Sequence, residues 1–414
     1  MHVLFVHKNF PAQFGHVAQW LVEKHRWKAT YISELPNAQF GGLKRIHYRP
    51  LGGAREETHF CSRSFENYVA HSQGVHHSLK RLPDLKPDLI VGHSGFGSTA
   101  FLPELYDCPI VNYFEWFYHP RGTDMDFRPE FPATDLANLR ARARNAMLLL
   151  DLHTCAAGYS PTAWQRSQFP KEYQPKIETI FDGIDTTVWQ RQSHTHRSVA
   201  GKPIPDTARV VTYVSRGFEA MRGFDIFMRV AKRIAAERKD TVFIIVGQDR
   251  VCYGNDTTHT GGMTLKEQIL AQGGIDPSRF IFPGLLPTSE LVNVLSMSDL
   301  HIYLTVPFVL SWSLLNALAC GCTVLASDTP PVREVITHGE NGLLCGFADE
   351  DSLVRESLRV LGAPGAFRPL GEAGRALVQQ RYSTEVCLPR IAEFFERVAV
   401  PAPSKEHSAK ITPS

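Results

Sequence analysis

The stretch LHIYLTVPFVLSWSLLNALACGCTVLAS, residues 300–327, contains the unit that decides the fold. The apolar run at residues 300–304 predicts a strand, residues 314–320 predict a helix, and residues 323–326 predict a second strand. Gly321 stands where a helix commonly ends in a residue with positive φ. A strand, a helix and another buried strand in this order predict one β-α-β unit of a parallel sheet.

The same alternation of apolar strands and helical segments recurs along the whole chain. In the first half it predicts strands at residues 2–7, 27–33, 89–93 and 109–114, with helices at 15–23, 63–82 and 134–157. In the second half it predicts further strands at residues 210–214, 241–246 and 280–282, with helices at 223–238, 264–272 and 289–296. The predicted fold class is therefore α/β, and all-helical and all-β folds are poor fits.

The length of 414 residues favours two or three domains over a single core. A turn-rich stretch at residues 180–189 and a polar segment at 190–209 separate the two halves. We predict a Rossmann-like domain at residues 1–187, a second at 188–382, a helix at 383–400 that crosses back to the first domain, and a disordered tail at 401–414. Two such domains face each other across a cleft, and open sheets bind ligands at the carboxyl ends of their strands.

Composition and charge exclude several classes of protein. The chain is 43% hydrophobic and 21% charged, which excludes a mainly disordered protein. Its 44 basic and 42 acidic side chains give a formal net charge of +2, so no basic excess indicates a nucleic-acid binder. The N-terminus is typical of a first strand rather than a signal peptide, and no apolar stretch approaches the ~20 residues that span a bilayer. We expect a cytoplasmic protein whose membrane contact, if any, is peripheral.

The eight cysteines are scattered, and none forms a CxxC pair or a Cys/His spacing typical of zinc sites. We interpret them as buried free thiols in a reducing compartment. The sequence therefore predicts no metal site.

Two loops after predicted strands contain groups suited to phosphates. Residues 215–223 place Arg216 and Arg222 at the start of a helix, where backbone N–H groups and the helix dipole also favour an anion. On spacing alone, two solvated surface arginines are an equally good interpretation. The second loop, residues 305–313, leads into the helix that contains Asn316, whose amide could cap the helix or contact a ligand.

The chain resembles the large family 4 of retaining glycosyltransferases with the GT-B fold. The resemblance rests on SWSLLNALACGCTVLAS at residues 311–327 and PVREVITHGENGLL at residues 331–344. Further stretches fit in order: IFDGID, TYVSRGFEAMRGFD and IIVGQD. The first half is similar to a subgroup that begins LFVHxNFPxQF and keeps Asn9, Phe10, Pro11, Gln13 and Phe14 of that pattern. The resemblance implies two Rossmann-like domains and a nucleotide-sugar donor held mainly by the second.

The resemblance also implies roles for particular residues. Arg216 and Arg222 match the family's residues that neutralise the donor's diphosphate, a charge that a metal ion neutralises in other sugar transferases. His93 and Glu115 end two strands of the first domain and are expected to face the cleft as catalytic groups. The residues expected to contact or border the donor are Gly15, Gly247, Asp249, Leu285, Leu286, Leu310, Ser311, Trp312, Ser313 and Asn316.

The sequence departs from the family pattern at two acidic positions. The family has a Glu, seven residues and a second Glu, and this chain has Phe308 and Asn316 there. Asn316 can still hydrogen-bond a ribose, but Phe308 cannot accept a hydrogen bond, which leaves Ser311 or Ser313 to contact the sugar. Glu115 stands where the wider family often has His, and with a raised pKa it could move a proton.

The implied reaction is retaining transfer in which a phosphate oxygen takes the acceptor's proton, with no metal and no cofactor besides the nucleotide sugar as substrate. The acceptor would be a saccharide, a lipid-linked or a small-molecule compound, and loops at residues 41–59 and 118–134, including Arg121, are expected to shape its site. Polysaccharide biosynthesis is the expected role.

Two alternatives stay open. The first is a nucleotide-sugar-binding pseudoenzyme or partner subunit, which Phe308 and Asn316 favour. The second is another GT-B enzyme, such as an epimerase or a phosphorylase, although the acidic pair or Schiff-base lysine that each requires is not recognisable. A dehydrogenase is disfavoured because no GxGxxG follows the first strand.

Overall fold

Two parallel β-sheets with helices packed around them make up the computed structural model, which describes residues 1–35, 43–193 and 197–400. The predicted α/β class with two Rossmann-like sheets is confirmed. The predicted tail at 401–414 lies outside the described residues, as do residues 41 and 42 of the predicted acceptor loop.

The first sheet has the strand order β3-β2-β1-β4-β5-β6-β7, and every neighbouring pair is parallel. Its strands are β1 (His2–Val6), β2 (Lys28–Ser33), β3 (Lys44–His47), β4 (Leu89–His93), β5 (Ile110–Tyr113), β6 (Ala157–Ser160) and β7 (Ile177–Thr179). Its connecting helices are α1 (Gly15–His25), α2 (Arg63–Lys80), α3 (Asp135–Thr154) and α4 (Ala163–Ser167). We call this part of the molecule the first lobe.

The second sheet has the order β12-β11-β10-β13-β14-β15, again all parallel, and a small antiparallel hairpin precedes it. The strands are β8 (Ser198–Val199), β9 (Lys202–Pro203), β10 (Arg209–Gly217), β11 (Thr241–Gln248), β12 (Phe280–Gly284), β13 (Leu300–Tyr303), β14 (Val324–Ser327) and β15 (Leu343–Cys345). The helices are α5 (Phe224–Glu237), α6 (Leu265–Ala271), α7 (Thr288–Met297), α8 (Trp312–Ala319), α9 (Pro330–Arg333), α10 (Glu350–Gly362) and α11 (Pro364–Leu377). We call this part the second lobe.

Alternating side chains of the strands fill a core on each face of each sheet. In β1, Val3 and Phe5 belong to one buried cluster, whereas Leu4 and Val6 belong to the cluster on the opposite face. This two-residue period places apolar residues on both sides, as parallel sheets covered by helices require.

The chain crosses between the lobes at two adjacent segments. The backbone N–H of Ile184 donates to the Tyr382 carbonyl (2.7 Å), and the N–H of Thr384 donates to the Ile184 carbonyl (3.0 Å). Beyond this crossing, α12 (Thr384–Ala399) packs Leu388 and Phe395 into the cluster that contains Phe5 of the first sheet. The domain boundaries at 187/188 and 382/383 stay predictions.

The predicted helix at residues 134–157 is wrong at its C-terminal end. The helix ends at Thr154, and the next residues form β6, a strand that the pattern did not predict. The sequence of β6, AGYS, contains small residues with low strand propensity. It is held by close packing instead, because a Cβ at Gly158 would lie only 2.3 Å from the Phe114 ring. The edge strands β3, β7 and β15 were missed as well, because each is too short for a periodic signal.

Both sheets reverse their strand order beside the first strand, between β1 and β4 and between β10 and β13. The carboxyl ends of strands at such a reversal leave a crevice where α/β proteins bind ligands. The loops after β4 and β5 therefore meet the loops after β10 and β13 in the cleft between the lobes.

Candidate functional site

His93 and Glu115 form the side of the site that belongs to the first lobe. The Nε2 of His93 lies 3.8 Å from the Oε2 of Glu115. The Nδ1 of His93 lies 2.9 Å from the Ser94 carbonyl, and because a carbonyl only accepts, Nδ1 carries the proton. Burial lowers the pKa of His93 to about 4, so the ring is neutral at pH 7. Its buried Nε2, which has no hydrogen-bond partner among the described residues, therefore presents a lone pair.

Glu115 connects the two lobes electrostatically. Burial raises the pKa of its carboxyl to about 7, and the charges of Arg222 and Arg216 across the cleft oppose that rise. The structure thus brings the four residues expected to be catalytic, His93, Glu115, Arg216 and Arg222, to one place.

The two arginines are held in different ways. Arg222 is buried, and its Nη1 donates to Thr305 Oγ1 (2.7 Å) and to the Val309 carbonyl (3.0 Å). Arg216 is exposed, and a hydrogen bond with the Tyr253 side chain raises the pKa of its guanidinium. Arg222 is therefore held by the loop after β13, whereas Arg216 lies at the surface of the cleft with Tyr253 as its neighbour.

Phe308, at the position of the family's first Glu, lies in an aromatic cluster. Its ring centroid is 5.0 Å from that of Trp116 in the first lobe and 5.5 Å from that of Tyr253. The Arg222 guanidinium lies 5.6 Å from both the Phe308 and Tyr253 rings. The Phe308 carbonyl also accepts from Trp164 Nε1 (3.2 Å). An apolar contact between the lobes thus occupies the position of a carboxylate.

The start of α8 has only part of its backbone available for a phosphate. The N–H of Ser311 donates to the Tyr303 hydroxyl (3.0 Å), and the N–H of Ser313 donates to Ser311 Oγ (3.2 Å). Leu310, Ser311, Trp312 and Ser313 are all expected to contact the donor. The N–H groups of Ser311 and Ser313 are engaged, which leaves those of Leu310 and Trp312 for a phosphate. The loop's own hydrogen bonds could not be read from its serine-rich composition.

The side chain of Trp312 contacts the first lobe. Its Nε1 donates to Asp182 Oδ2 (3.0 Å), and its ring makes an edge contact with His16, next to Gly15 at the start of α1. The N-terminal ends of α1 and α8 therefore face each other across the cleft. Deeper in α8, the buried Asn316 has an Oδ1 without a hydrogen-bond partner among the described residues, so its amide could still bind a ligand.

The other expected donor residues lie at the edge of the second sheet. Gly247 is the second-last residue of β11, with φ +153°, and a Cβ there would lie 2.3 Å from the Ser215 carbonyl oxygen. Asp249 lies 4.0 Å from the Lys266 ammonium. Leu285 and Leu286 follow β12, and Leu285 is 59% exposed. Within the described part of the chain, no hydrogen bond, ion pair or ring contact joins these residues to His93, Glu115, Arg216 or Arg222.

Sequence reasoning missed several residues of the cleft. Trp116, Tyr253 and Asp182 each contact a predicted site residue from another part of the fold. Asp182 stands in the quoted IFDGID stretch, and Trp116 follows Glu115, so two of the three had a nearby signal. Tyr253 had none, because its loop matches no quoted motif.

A cavity of about 210 Å³ opens beside His93 and Glu115 in the first lobe. Of the loops expected to shape the acceptor site, residues 118–134 contribute Tyr118 to its lining, whereas residues 43–59, the described part of the other loop, contribute none. Arg121 lines a second, more open pocket instead, together with Lys171.

Within residues 1–35, 43–193 and 197–400, no group of three or more His, Cys, Asp and Glu side chains could hold a metal ion. All eight cysteines are free thiols. No helix in these ranges combines the length and the apolar composition of a membrane span.

Comparisons with known proteins fit this geometry. A family model described as "Glycosyl transferase family 4 group" matches residues 25–189, and one described as "Glycosyl transferases group 1" matches residues 196–376. The N-acetyl-alpha-D-glucosaminyl L-malate synthase of Bacillus anthracis is 23% identical over 50% of this chain and 50% of its own length. The alpha-maltose-1-phosphate synthase of Mycolicibacterium smegmatis is 23% identical over 56% of this chain and 59% of its own. The matches thus span only about half the length of these relatives.

Solved structures resemble the chain over almost its full length. The sucrose-phosphate synthase from Thermosynechococcus elongatus superposes with a TM-score of 0.69 at 16% identity, over 96% of this chain and 98% of its own. The Anabaena protein Alr3699/HepE in complex with UDP-glucose gives a TM-score of 0.68 at 15% identity, over 96% of this chain and 100% of its own. At such low identity the likeness shows the fold alone.

Proposed function

The chain belongs to the group 1 glycosyl transferases and has the GT-B fold, and we propose that its cleft transfers a sugar from a nucleotide sugar to an acceptor hydroxyl with retention and without a metal ion. The observation that carries this proposal is that Glu115 of the first lobe lies near enough to Arg216 and Arg222 of the second for both guanidinium charges to lower the pKa of its carboxyl. The two guanidinium groups can neutralise a diphosphate leaving group, and the carboxyl can accept a hydrogen bond from an acceptor hydroxyl.

In the proposed step, the acceptor oxygen forms a bond to the anomeric carbon as the bond from that carbon to the diphosphate oxygen breaks. The electron pair of the broken bond stays on the nucleoside diphosphate, and the acceptor's proton passes to a phosphate oxygen on the same face of the sugar. Arg216 and Arg222 stabilise the charge that develops on the leaving group, as preorganised donors do in other enzymes.

The first lobe positions the acceptor in this proposal. Ionised Glu115 accepts a hydrogen bond from the reacting hydroxyl, and neutral His93 offers its Nε2 lone pair to a second hydroxyl. Neither residue needs to take the proton. The loss of the family's acidic residue at Phe308 is therefore compatible with turnover.

A UDP-sugar is the first donor to test, because the neighbouring Anabaena structure contains UDP-glucose. We propose a saccharide or another small hydroxyl compound as acceptor and a reducing compartment as location, the latter because all eight cysteines are free thiols.

The test is turnover in EDTA with UDP-, GDP-, ADP- and dTDP-sugars and an acceptor panel, followed by proton NMR of the product's anomeric centre. Release of nucleoside diphosphate with an unchanged anomeric configuration supports the proposal. Inversion of the anomeric configuration would contradict retention. Turnover that appears only when a divalent ion is added would contradict metal independence.

A second candidate is a nucleotide-sugar-binding protein without transfer activity. It is favoured by the Phe308 ring, which fills the position of an acidic residue and packs on Trp116. Donor binding with neither transfer nor donor hydrolysis would establish it.

A further inference from the structure

The cavity beside Glu115 is built from five segments of the first lobe. Lys8 follows β1, Ser94 and Phe96 follow β4, and Glu115 follows β5. Helices α2 and α3 close the sides, with His71 and Arg144 among the residues that they contribute. The buried His93 Nε2, without a partner among the described residues, also lines it, so the cavity is continuous with the candidate catalytic groups.

Two permanent cations of this cavity rest on aromatic rings. The Lys8 ammonium lies 4.9 Å from the centroid of the Phe96 ring, and the Arg144 guanidinium lies 3.8 Å from that of Tyr118. Arg144 also donates to the Tyr118 hydroxyl, but its Nε has no hydrogen-bond partner in the described part of the chain. In that same part, no carboxylate oxygen lies within 4.0 Å of either cation, so neither charge is neutralised by a direct ion pair.

The acidic groups around the cavity do not cancel these charges. Glu115 is the one carboxylate among the lining residues. Glu34 lies outside the lining, 3.9 Å from His71 Nδ1, and the half-buried Asp124 acts on Arg144 without a direct contact. Asp151 lies beneath the floor, where it accepts from the Tyr68 and Ser94 hydroxyls. The lining therefore carries two positive charges against at most one negative charge.

The volume of the cavity limits what fills it. Pockets for drug-sized ligands enclose roughly 300–1,000 Å³. The cavity measures about 210 Å³ and so fits a small molecule or the end of a larger one. A polar lining with two half-buried cations that have no direct ion pair favours an acidic group over a neutral one, because hydrogen bonds between oppositely charged groups are the stronger ones.

We propose that the acceptor is a small hydroxyl compound that carries an acid group, a carboxylate or a phosphate, which Lys8 and Arg144 bind while its hydroxyl lies at Glu115 and His93. This inference rests on the proposed function, since it assigns the acceptor of the same site. It predicts a preference for acidic over neutral acceptors, which the residues on the donor side of the cleft do not determine.

The test compares matched acceptors that differ in one acid group: glucose 1-phosphate with glucose, and glycerate with glyceramide. The measured quantity is the ratio of kcat/KM for the acidic member to kcat/KM for the neutral member, with the donor that wild type uses. Lys8→Met and Arg144→Gln remove a charge and keep much of the side-chain length. Lys171→Met, on the surface of the same lobe, is the matched control.

We expect wild type to prefer the acidic member of at least one pair, and each cavity variant to lower that ratio about tenfold or more, because a hydrogen bond to a charged group is lost. The control variant should keep the wild-type ratio. A preference in the glucose pair would indicate that the site binds a phosphate, and a preference in the glycerate pair would indicate that it binds a carboxylate. Equal use of acidic and neutral acceptors by wild type, or ratios unchanged in both variants, would overturn the inference.

A binding measurement separates this inference from the proposed function. Glucose 1-phosphate and glycerate should each raise the unfolding temperature of wild type more than that of Lys8→Met, whether or not transfer occurs. Stabilisation without nucleoside diphosphate release would refute the transferase and keep the anion site. Release of nucleoside diphosphate with neutral acceptors, without stabilisation by either acidic compound, would keep the transferase and refute the anion site.

Discussion

Arg216 and Arg222 differ in how much of the fold depends on them. Arg222 is buried with two hydrogen bonds, so its removal would damage the loop after β13 as well as the site. Arg216 is exposed and contacts Tyr253, so a substitution there acts mainly on a ligand. Arg216 is therefore the better position at which to measure the contribution of charge to the reaction.

We predict that Arg216→Ala lowers kcat by about 10²–10³, the loss seen when one preorganised donor to a developing anion is removed. Asn316→Ala should cost far less, because a neutral amide contributes weaker hydrogen bonds. Steady-state kinetics with saturating donor measures both. Equal losses, or a larger loss for Asn316→Ala, would refute the assignment of the diphosphate to Arg216.

The raised pKa of Glu115 predicts a pH dependence of kcat/KM. If ionised Glu115 positions the acceptor hydroxyl, activity should fall up to tenfold per pH unit below the pKa of about 7 and stay level above it. Glu115→Gln should lower activity and abolish this limb, while Glu172→Gln at the surface keeps the wild-type profile. An unchanged limb in Glu115→Gln would assign the titration to another group.

The sequence predicted which residues lie at strand ends but not what they touch. Arg216, His93 and Glu115 all follow or end strands, and the carboxyl ends of parallel strands meet at one edge. The aromatic contact of Phe308 with Trp116 joins residues that are far apart in sequence and belong to different lobes. Such a contact depends on how the lobes pack, which no local pattern encodes.

The loop after β11 is held against the start of α5 by carboxylates. A single oxygen of the buried Glu219, Oε2, accepts the backbone N–H groups of Cys252 (3.0 Å), Tyr253 (2.9 Å) and Gly254 (3.1 Å). Asp256 of the same loop accepts the N–H of Ala220 (2.7 Å). These bonds position Tyr253 beside Arg216 and Phe308, so a loop without a recognisable motif becomes part of the cleft.

We predict that Glu219→Ala lowers the free energy of unfolding by about 2 kcal/mol, since three donors lose one charged acceptor. It should also make the Arg250 peptide bond more sensitive to trypsin in limited proteolysis. Glu237→Ala, on the exposed end of α5, should change stability by less than ~0.5 kcal/mol. Similar unfolding curves and cleavage rates for both variants would show that Glu219 does not hold the loop.

The individual strands show where sequence patterns fail. Strands with several β-branched residues, such as Thr241–Gln248, were predicted almost to the residue. Strands such as Ala157–Ser160 were missed because packing against neighbours, rather than their own composition, makes them strands. The α/β class nevertheless followed from sequence, because it depends on the alternation of elements and not on each one.

Two sets of hydrogen bonds join the lobes beside the cleft, and the one around Arg128 is buried. Arg128 of the first lobe donates to both carboxylate oxygens of Asp225 (2.8 and 2.9 Å) and to the Ala220 carbonyl (2.8 Å) in the second. The carboxylate of Glu334 in the second lobe accepts the N–H groups of Ala163 and Trp164 at the start of α4 (2.7 and 2.8 Å). Both contacts join the first lobe to the second.

We predict that Arg128→Ala lowers the free energy of unfolding by about 3–5 kcal/mol, because it leaves the buried Asp225 without its main partner. It should also increase the radius of gyration in small-angle scattering as the lobes separate. Arg233→Ala removes an exposed pair with Asp351 and should cost at most ~1 kcal/mol with no change in size. An unchanged radius and stability in Arg128→Ala would show that the lobes are held by other contacts.

The central claim is that this cleft binds a nucleotide sugar. Its most direct test is to measure the thermal unfolding of wild type and Arg216→Ala in the presence of UDP-, GDP-, ADP- and dTDP-sugars. We predict that one donor class stabilises wild type, by about 2.7 kcal/mol at a hundredfold excess over Kd, and that Arg216→Ala loses most of this gain. Stabilisation of both proteins to the same extent, or of neither by any donor, would contradict the placement of a nucleotide sugar in this cleft.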